Sequence, residues 1–148
     1  MLHYTTCGLG NVYLRNGYAE RQTPYGRAVS IHDLDGLHRT IGMNLIQNSP
    51  DLSGEEVRFL RKEMDLSQQH LARMLGVGES SVRGWEAGRT PITKPAERML
   101  RVLYHEYVQG CTMVAELIER ISHINRDIHF LKLELEDTGH GWRLADAA

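Results

Sequence analysis

The stretch "LSQQHLARMLGVGESSVRGWEAGRTP", Leu66 to Pro91, decides the fold. Ser67 stands where a helix start needs a side-chain oxygen. Leu71, Ala72 and Leu75 then recur at three- and four-residue spacing, which places them on one helical face. Gly76 ends that helix as a C-cap glycine does. Gly78 is set to cap a second, shorter helix, "ESSVRGWEAG", with Val82 and Trp85 at i and i+3. Gly88 ends it. The apolar pair faces inward and fixes the angle of this second helix. Glu79, Ser80, Arg83 and Gly84 are expected on its outer face.

Outward from this stretch, the signals stay helical on both sides. "SGEE" puts Ser53 three residues before Glu56, a capping box opening "EEVRFLRKEM" with Val57, Leu60 and Met64 as its buried stripe. Thr93 is placed to cap "KPAERMLRVLYHEYV", where Pro95 is tolerated in a first turn and Leu100, Leu103 and Tyr104 close the core.

The flanks change character. "NVYLRN" (Asn11–Asn16) and "GRAVSIH" (Gly26–His32) alternate with period two and predict two half-buried strands, with "TPYG" as turn chemistry between them. "DGLHRTIGMNLIQNSP" predicts a helix with Asp35 as N-cap, a Leu37, Ile41, Leu45 stripe and Pro50 beyond its end. Beyond Cys111, the run Met113, Val114, Leu117, Ile118, Ile121 and Ile124 forms an apolar stripe at helical spacing. It reads as the last helix of the core or as a dimer seam. "FLKLELE" then alternates, "DTGHG" turns, and "WRLA" is the return strand of a hairpin. The Phe130–Glu136 strand can pair across a dimer or join the N-terminal strands in one sheet.

Bulk properties narrow the class. A chain of 148 residues buries one good core or two small ones. No run of eighteen apolar residues predicts a membrane helix, and "MLHYTTCGLG" lacks the pattern of a secretory signal. Cys7 and Cys111 make no CxxC pair and no disulfide framework, so a reduced, cytoplasmic setting is expected. Net charge is −2. From Ser53 to Tyr104 nine basic residues stand against seven acidic ones, an asymmetry that permits a nucleic-acid face there without requiring one.

Ser67 to Pro91 closely resembles the helix-turn-helix of the XRE (Cro and phage-repressor-like) family. The resemblance is carried, in register, by Leu66-Ser67-Gln68, Leu71-Ala72, Leu75-Gly76, Val82, Trp85-Glu86, Gly88 and Pro91. It implies a fold that is α+β and mainly α. A five-helix, lambda-repressor-like domain at 51–109 is then flanked by a small β-rich N-terminal region with a helix (1–50) and a C-terminal helix and hairpin (110–148), the expected dimerisation element. It also implies double-stranded DNA as partner, with base reading by Glu79, Ser80, Arg83 and Gly84, and Ser81 partly buried or touching the backbone. Gln68, Gln69 and Arg89 become phosphate contacts, and the helix-opening amides at Ser67 face the DNA backbone. Glu86 is expected to bond within the motif. A short helix with small or polar outer residues suits a major groove about 12 Å wide. Glu79 suits a cytosine amino group but repels phosphate, and Gly84 stands where the family often has a long polar side chain.

The whole chain bears a looser resemblance to the MqsA-like (YgiT-type) antitoxins and regulators, in which a small zinc domain precedes the helix-turn-helix and the protein dimerises. That zinc domain uses two CxxC pairs, whereas Cys7 is the single cysteine in the first 110 residues here. Structural zinc needs about four ligands, so no metal and no cofactor is expected. In "HDLDGLH", His32, Asp33, Asp35 and His38 read as a strand end, a helix cap and two exposed histidines rather than a metal site. His105 and His123 read as surface residues, and Cys7 has no identifiable orienting group for catalysis. The chain is therefore expected to be a cytoplasmic, homodimeric, sequence-specific DNA-binding regulator, a repressor and not an enzyme. The alternative is an antitoxin that binds a protein toxin and autoregulates its operon. No membrane partner is expected.

Overall fold

The computed structural model describes residues 1–124 and 133–145. Six helices follow in chain order: α1 (Leu34–Asn48), α2 (Gly54–Glu63), α3 (Gln68–Leu75), α4 (Glu79–Glu86), α5 (Lys94–Gln109) and α6 (Met113–Ile121). The strands form three separate two-stranded antiparallel ladders among the described residues. These are β1 (Leu2–His3) with β2 (Tyr13–Leu14), β3 (Tyr18–Thr23) with β4 (Gly26–Ile31), and β5 (Leu135–Asp137) with β6 (Trp142–Leu144).

The helix boundaries follow local chemistry. Ser53 closes a full capping box: its Oγ accepts from the Glu56 amide at 3.2 Å, and Glu56 Oε1 accepts from the Ser53 amide at 2.9 Å. Ser67 Oγ accepts from the His70 amide at 3.0 Å. Gly76, at φ 71°, ends α3 in a left-handed conformation that other residues resist. Helix α1 departs from expectation at its start. Its N-cap is Asp33, not Asp35. Asp33 sits at φ 48° and accepts from the Gly36 amide at 3.2 Å, while Asp35 lies in the first turn, facing the helix dipole. Asp tolerates the left-handed turn that links β4 directly to α1.

One buried cluster holds the fold. Val57, Leu60, Leu71, Val82 and Leu100 are completely buried, with Trp85, Ile92, Ala96 and Tyr104 around them. Leu9 and Leu45, from the N-terminal side, belong to the same cluster. The 51–109 segment holds four helices, and α1, packed on α5 and α2, is the fifth.

Two glycines allow the closest helix contacts. A Cβ on Gly42 would fall 2.0 Å from the Tyr104 hydroxyl, so α1 can lie on α5 because that side chain is missing. A Cβ on Gly54 would fall 2.1 Å from the Trp85 carbonyl oxygen, where α2 opens against the end of α4. Burial pushes the Tyr104 hydroxyl pKa up to about 12. Arg101 donates from α5 to the carbonyls of Ile46 (2.9 Å) and Ser49 (2.7 Å), satisfying groups that the end of α1 leaves open. Glu97, itself buried, pairs with Arg101.

The flanks depart most from the sequence reading. Asn11–Asn16 does not pair with Gly26–His32. Its central residues pair with Leu2–His3, and "TPYG" instead joins Tyr18–Thr23 to Gly26–Ile31. Tyr18–Thr23 gave no period-two signal because Glu20, Arg21 and Gln22 break the alternation. Nor is that hairpin half-buried: every residue from Ala19 to Ser30 is exposed. At the C-terminal end, β5 begins at Leu135, and the Phe130–Leu131 start of the expected strand lies outside the described residues. Leu135 pairs with Leu144 in a hairpin of its own, not in a sheet with the N-terminal strands.

Helix α6 is not a core helix. None of its residues is buried, and Met113, Leu117, Ile121 and the following Ile124 are between 55% and 76% exposed. It touches α5 and α3. His70 Nε2 meets Glu119 Oε1 at 2.8 Å, and this hydrogen bond holds the Glu119 carboxyl below its ordinary range.

Candidate nucleic-acid interface

Helices α3 and α4 are joined by Gly76, Val77 and Gly78. Val77 donates its amide to the Ala72 carbonyl at 3.0 Å, and Ser81 donates to Gly78 at 3.0 Å, so the turn is closed from both sides. Helix α4 is eight residues long. Val82, fully buried, and Trp85, 5% exposed, pin its inner face. The burial of these two side chains sets the direction in which the opposite face looks.

A charged strut completes the arrangement. Arg61 on α2 donates to both carboxylate oxygens of Glu86, Nε to Oε2 at 2.7 Å and Nη2 to Oε1 at 2.8 Å. The two side chains are 11% and 5% exposed. Such a bidentate pair is both strong and directional. Arg61 Nη1 also donates to the Leu66 carbonyl at 2.9 Å, and Gln68 Nε2 donates to Glu86 Oε1 at 3.2 Å. One buried carboxylate thus ties the end of α4 to α2 and to the start of α3. Glu86 was expected within the motif. Arg61 was not foreseen, because an arginine beside Leu60 looks like an ordinary solvent-facing residue of an amphipathic helix.

The expected contact residues fall into three groups. Ser67, Gln69, Ser80, Arg83 and Arg89 are exposed. Gln68, Glu79 and Ser81 are half-buried, and the Gln68 amide nitrogen is committed to Glu86. Gly84 is buried, against the expectation that it faces outward. A Cβ there would meet Thr90 Oγ1 at 3.4 Å, and the Gly84 carbonyl accepts from the Arg89 amide at 2.9 Å. The loop after α4 folds back over Gly84, aided by Gly88 at φ 74°, so this position packs against the loop.

The outer face is electrostatically spare. Arg83 lies 3.8 Å from Glu79 one turn earlier, with side chains 56% and 41% exposed. Such a surface pair is weak, about 0.3–0.5 kcal/mol, so phosphate can compete for the guanidinium. The side chain of Arg89, just past the turn, is without a salt-bridge partner among the described residues.

The histidine cluster is also rearranged. His38 is not an exposed histidine. Its Nδ1 meets Glu63 Oε1 at 2.7 Å and its Nε2 meets the Tyr4 hydroxyl at 2.8 Å. Both ring nitrogens are engaged, and the chain Tyr4–His38–Glu63 ties the N-terminal segment and α1 to α2. Burial, then Cys7 and Glu63, raise the Tyr4 pKa. Among the described residues no group of three or more His, Cys, Asp or Glu side chains is gathered as metal ligands would be. Nor is any described helix long and apolar enough to cross a membrane.

Compared with known proteins, residues 57–103 match the family described as helix-turn-helix, in its XRE type. The matched span runs from within α2 to within α5 and includes both motif helices and the loop after them. No curated protein and no solved structure matched the chain.

Proposed function

We propose, from the XRE-type helix-turn-helix at residues 57–103, that this chain is a sequence-specific transcriptional repressor that acts as a cytoplasmic homodimer and carries no catalytic activity. The observation that carries this reading is α4. It is a short helix held from behind by Val82, Trp85 and the Arg61–Glu86 strut, with Ser80 and Arg83 exposed on its outer face. Ser80, Arg83 and the half-buried Glu79 and Ser81 read bases in the major groove. Ser67, Gln69, Arg89 and the second amide hydrogen of Gln68 Nε2 meet phosphates.

Selection of bound duplexes from a random pool tests the reading, and an enriched, two-fold symmetric sequence is the expected result. On that sequence Arg83→Ala weakens specific binding by about 1–3 kcal/mol, the contribution of a good base contact. Binding to random duplex changes far less. Equal losses on both duplexes would show that Arg83 meets only phosphate.

The homodimer reading rests on the α6 stripe. Two half-sites one helical turn apart require two readers, and Met113, Leu117, Ile121 and Ile124 lie uncovered beside α3. A second copy of α6 buries this stripe. Leu117→Glu in the full chain is expected to sediment as a monomer, because the side chain is 56% exposed and its replacement leaves the fold intact. A variant that stays dimeric places the seam elsewhere.

A second reading, the antitoxin that autoregulates its operon, is favoured by the hairpin Tyr18–Ile31. Both its faces are uncovered, and an isolated two-stranded hairpin is marginal in water. A toxin packed on it would supply the missing cover.

A further inference from the structure

A cleft of about 500 Å³ lies between the N-terminal turn Thr6–Gly8 and α2, with His38 of α1 and Glu86 of α4 also on its walls. This volume falls within the usual range of small-molecule sites, about 300–1,000 Å³. The charges on its walls are not equivalent. Glu63 is held by His38, and Glu86 is held by Arg61 in a bidentate pair. Arg58 and Lys62 stand one turn apart on α2, and neither has a hydrogen-bond or ion-pair partner among the described residues. Residues four apart on a helix project side by side. Glu55 alone of the acidic lining residues is left without an internal partner among the described residues. The uncommitted charge of the cleft is therefore positive, two cations against one carboxylate.

The floor is aromatic. Phe59 is 4% exposed and the His38 ring packs on it with centroids 5.6 Å apart. Cys7, half-buried, closes the opposite side and adds a soft apolar surface. Two adjacent cations beside a pair of tilted aromatic rings, 56° apart in plane, match one kind of ligand.

We propose that this cleft binds a small organic carboxylate with a planar, apolar body. The carboxylate sits between Arg58 and Lys62, where the arginine fork offers two parallel donors. The planar body lies over Phe59 and His38 against Cys7. An occupant would lie next to Glu86, whose carboxylate fixes the end of α4.

Benzoate is the probe that tests the site, and benzamide is its neutral counterpart of the same shape. The readout is the set of backbone amide resonances of the full chain, titrated with each. Since no DNA is present, the outcome is separate from that of the DNA-binding reading. Saturable shifts at Thr6–Gly8, His38 and Phe59 with benzoate, and affinity at least about tenfold lower for benzamide, are expected. The Arg58→Gln/Lys62→Gln variant, altered at two exposed positions, keeps the native spectrum elsewhere and loses the benzoate response. Benzamide binding as tightly as benzoate, a response that survives in the variant, or shifts spread over the other surface arginines would each overturn the proposal.

Discussion

Trp85→Ala lowers the stability of the fold by about 3–5 kcal/mol, the cost of truncating a large buried side chain to a methyl. Trp85 is 5% exposed and belongs to the same cluster as Leu60, Leu71, Val82 and Leu100. The backbone around it cannot collapse into the vacated space. Its own carbonyl oxygen lies against Gly54, and the ends of α2 and α4 are already in contact there. The residual cavity is therefore expected to stay open, which puts the loss toward the upper part of that range. Domains of this size have a total stability of about 5–15 kcal/mol, so the midpoint of urea unfolding falls sharply. Urea titration followed by circular dichroism measures it. A midpoint unchanged from the parent would mean that Trp85 is not the anchor of α4.

Glu86→Ala is expected to cost a similar amount, about 3–5 kcal/mol, for a different reason. It removes one half of a buried ion pair and leaves the Arg61 guanidinium, 11% exposed, facing an uncharged pocket. Gln68 loses its acceptor at the same time. The origin of the loss can be separated by a second change. Replacing both partners with apolar residues of similar size, Arg61→Met with Glu86→Leu, removes the stranded charge. Buried pairs replaced in this way are often neutral or stabilising, so the double variant is expected to recover most of the stability. Its DNA affinity is not expected to recover, because the bidentate geometry that sets the angle of α4 is gone. Recovery of both properties would show that apolar packing alone orients the helix. Additive losses in the double variant would show that the pair is not coupled.

The two variants probe different parts of one device. Trp85 packs the inner face of α4 into the core, and the strut ties the end of α4 to α2 and α3. Both act behind a face that holds few groups able to touch DNA. With Gly84 turned inward and Arg83 beside Glu79, that face is smaller than the sequence suggested.

The central helices were legible because their signals are local. A cap, an apolar spacing and a glycine lie within a few residues of one another, and each acts through the backbone of its own helix. Ser53, Ser67, Gly76 and Gly78 therefore did in the structure what their spacing predicts. So did the inward pair Val82 and Trp85. The strands were less legible. A two-stranded ladder needs a partner, and period two says which face a strand shows but not which neighbour it meets. The alternation of Asn11–Asn16 marks a strand but not its partner, which is Leu2–His3 and not Gly26–His32. The exposed hairpin has no buried face to impose alternation on Tyr18–Thr23.

What sequence alone determined is the mainly helical fold, the helix-turn-helix at its centre and the outward placement of Ser80 and Arg83. These rest on short-range periodicity and capping, which need no knowledge of distant contacts. Tertiary structure alone decided the rest. Arg61 became buried because Glu86, twenty-five positions away, meets it across two helices. Gly42 and Gly54 became contact points because Tyr104 and the Trp85 carbonyl approach them from other helices. Gly84 turned inward because the loop carrying Thr90 folds back on it, and His38 became a bridge between Tyr4 and Glu63. In each case the deciding partner is remote in the chain, and burial makes its polar or steric demand felt.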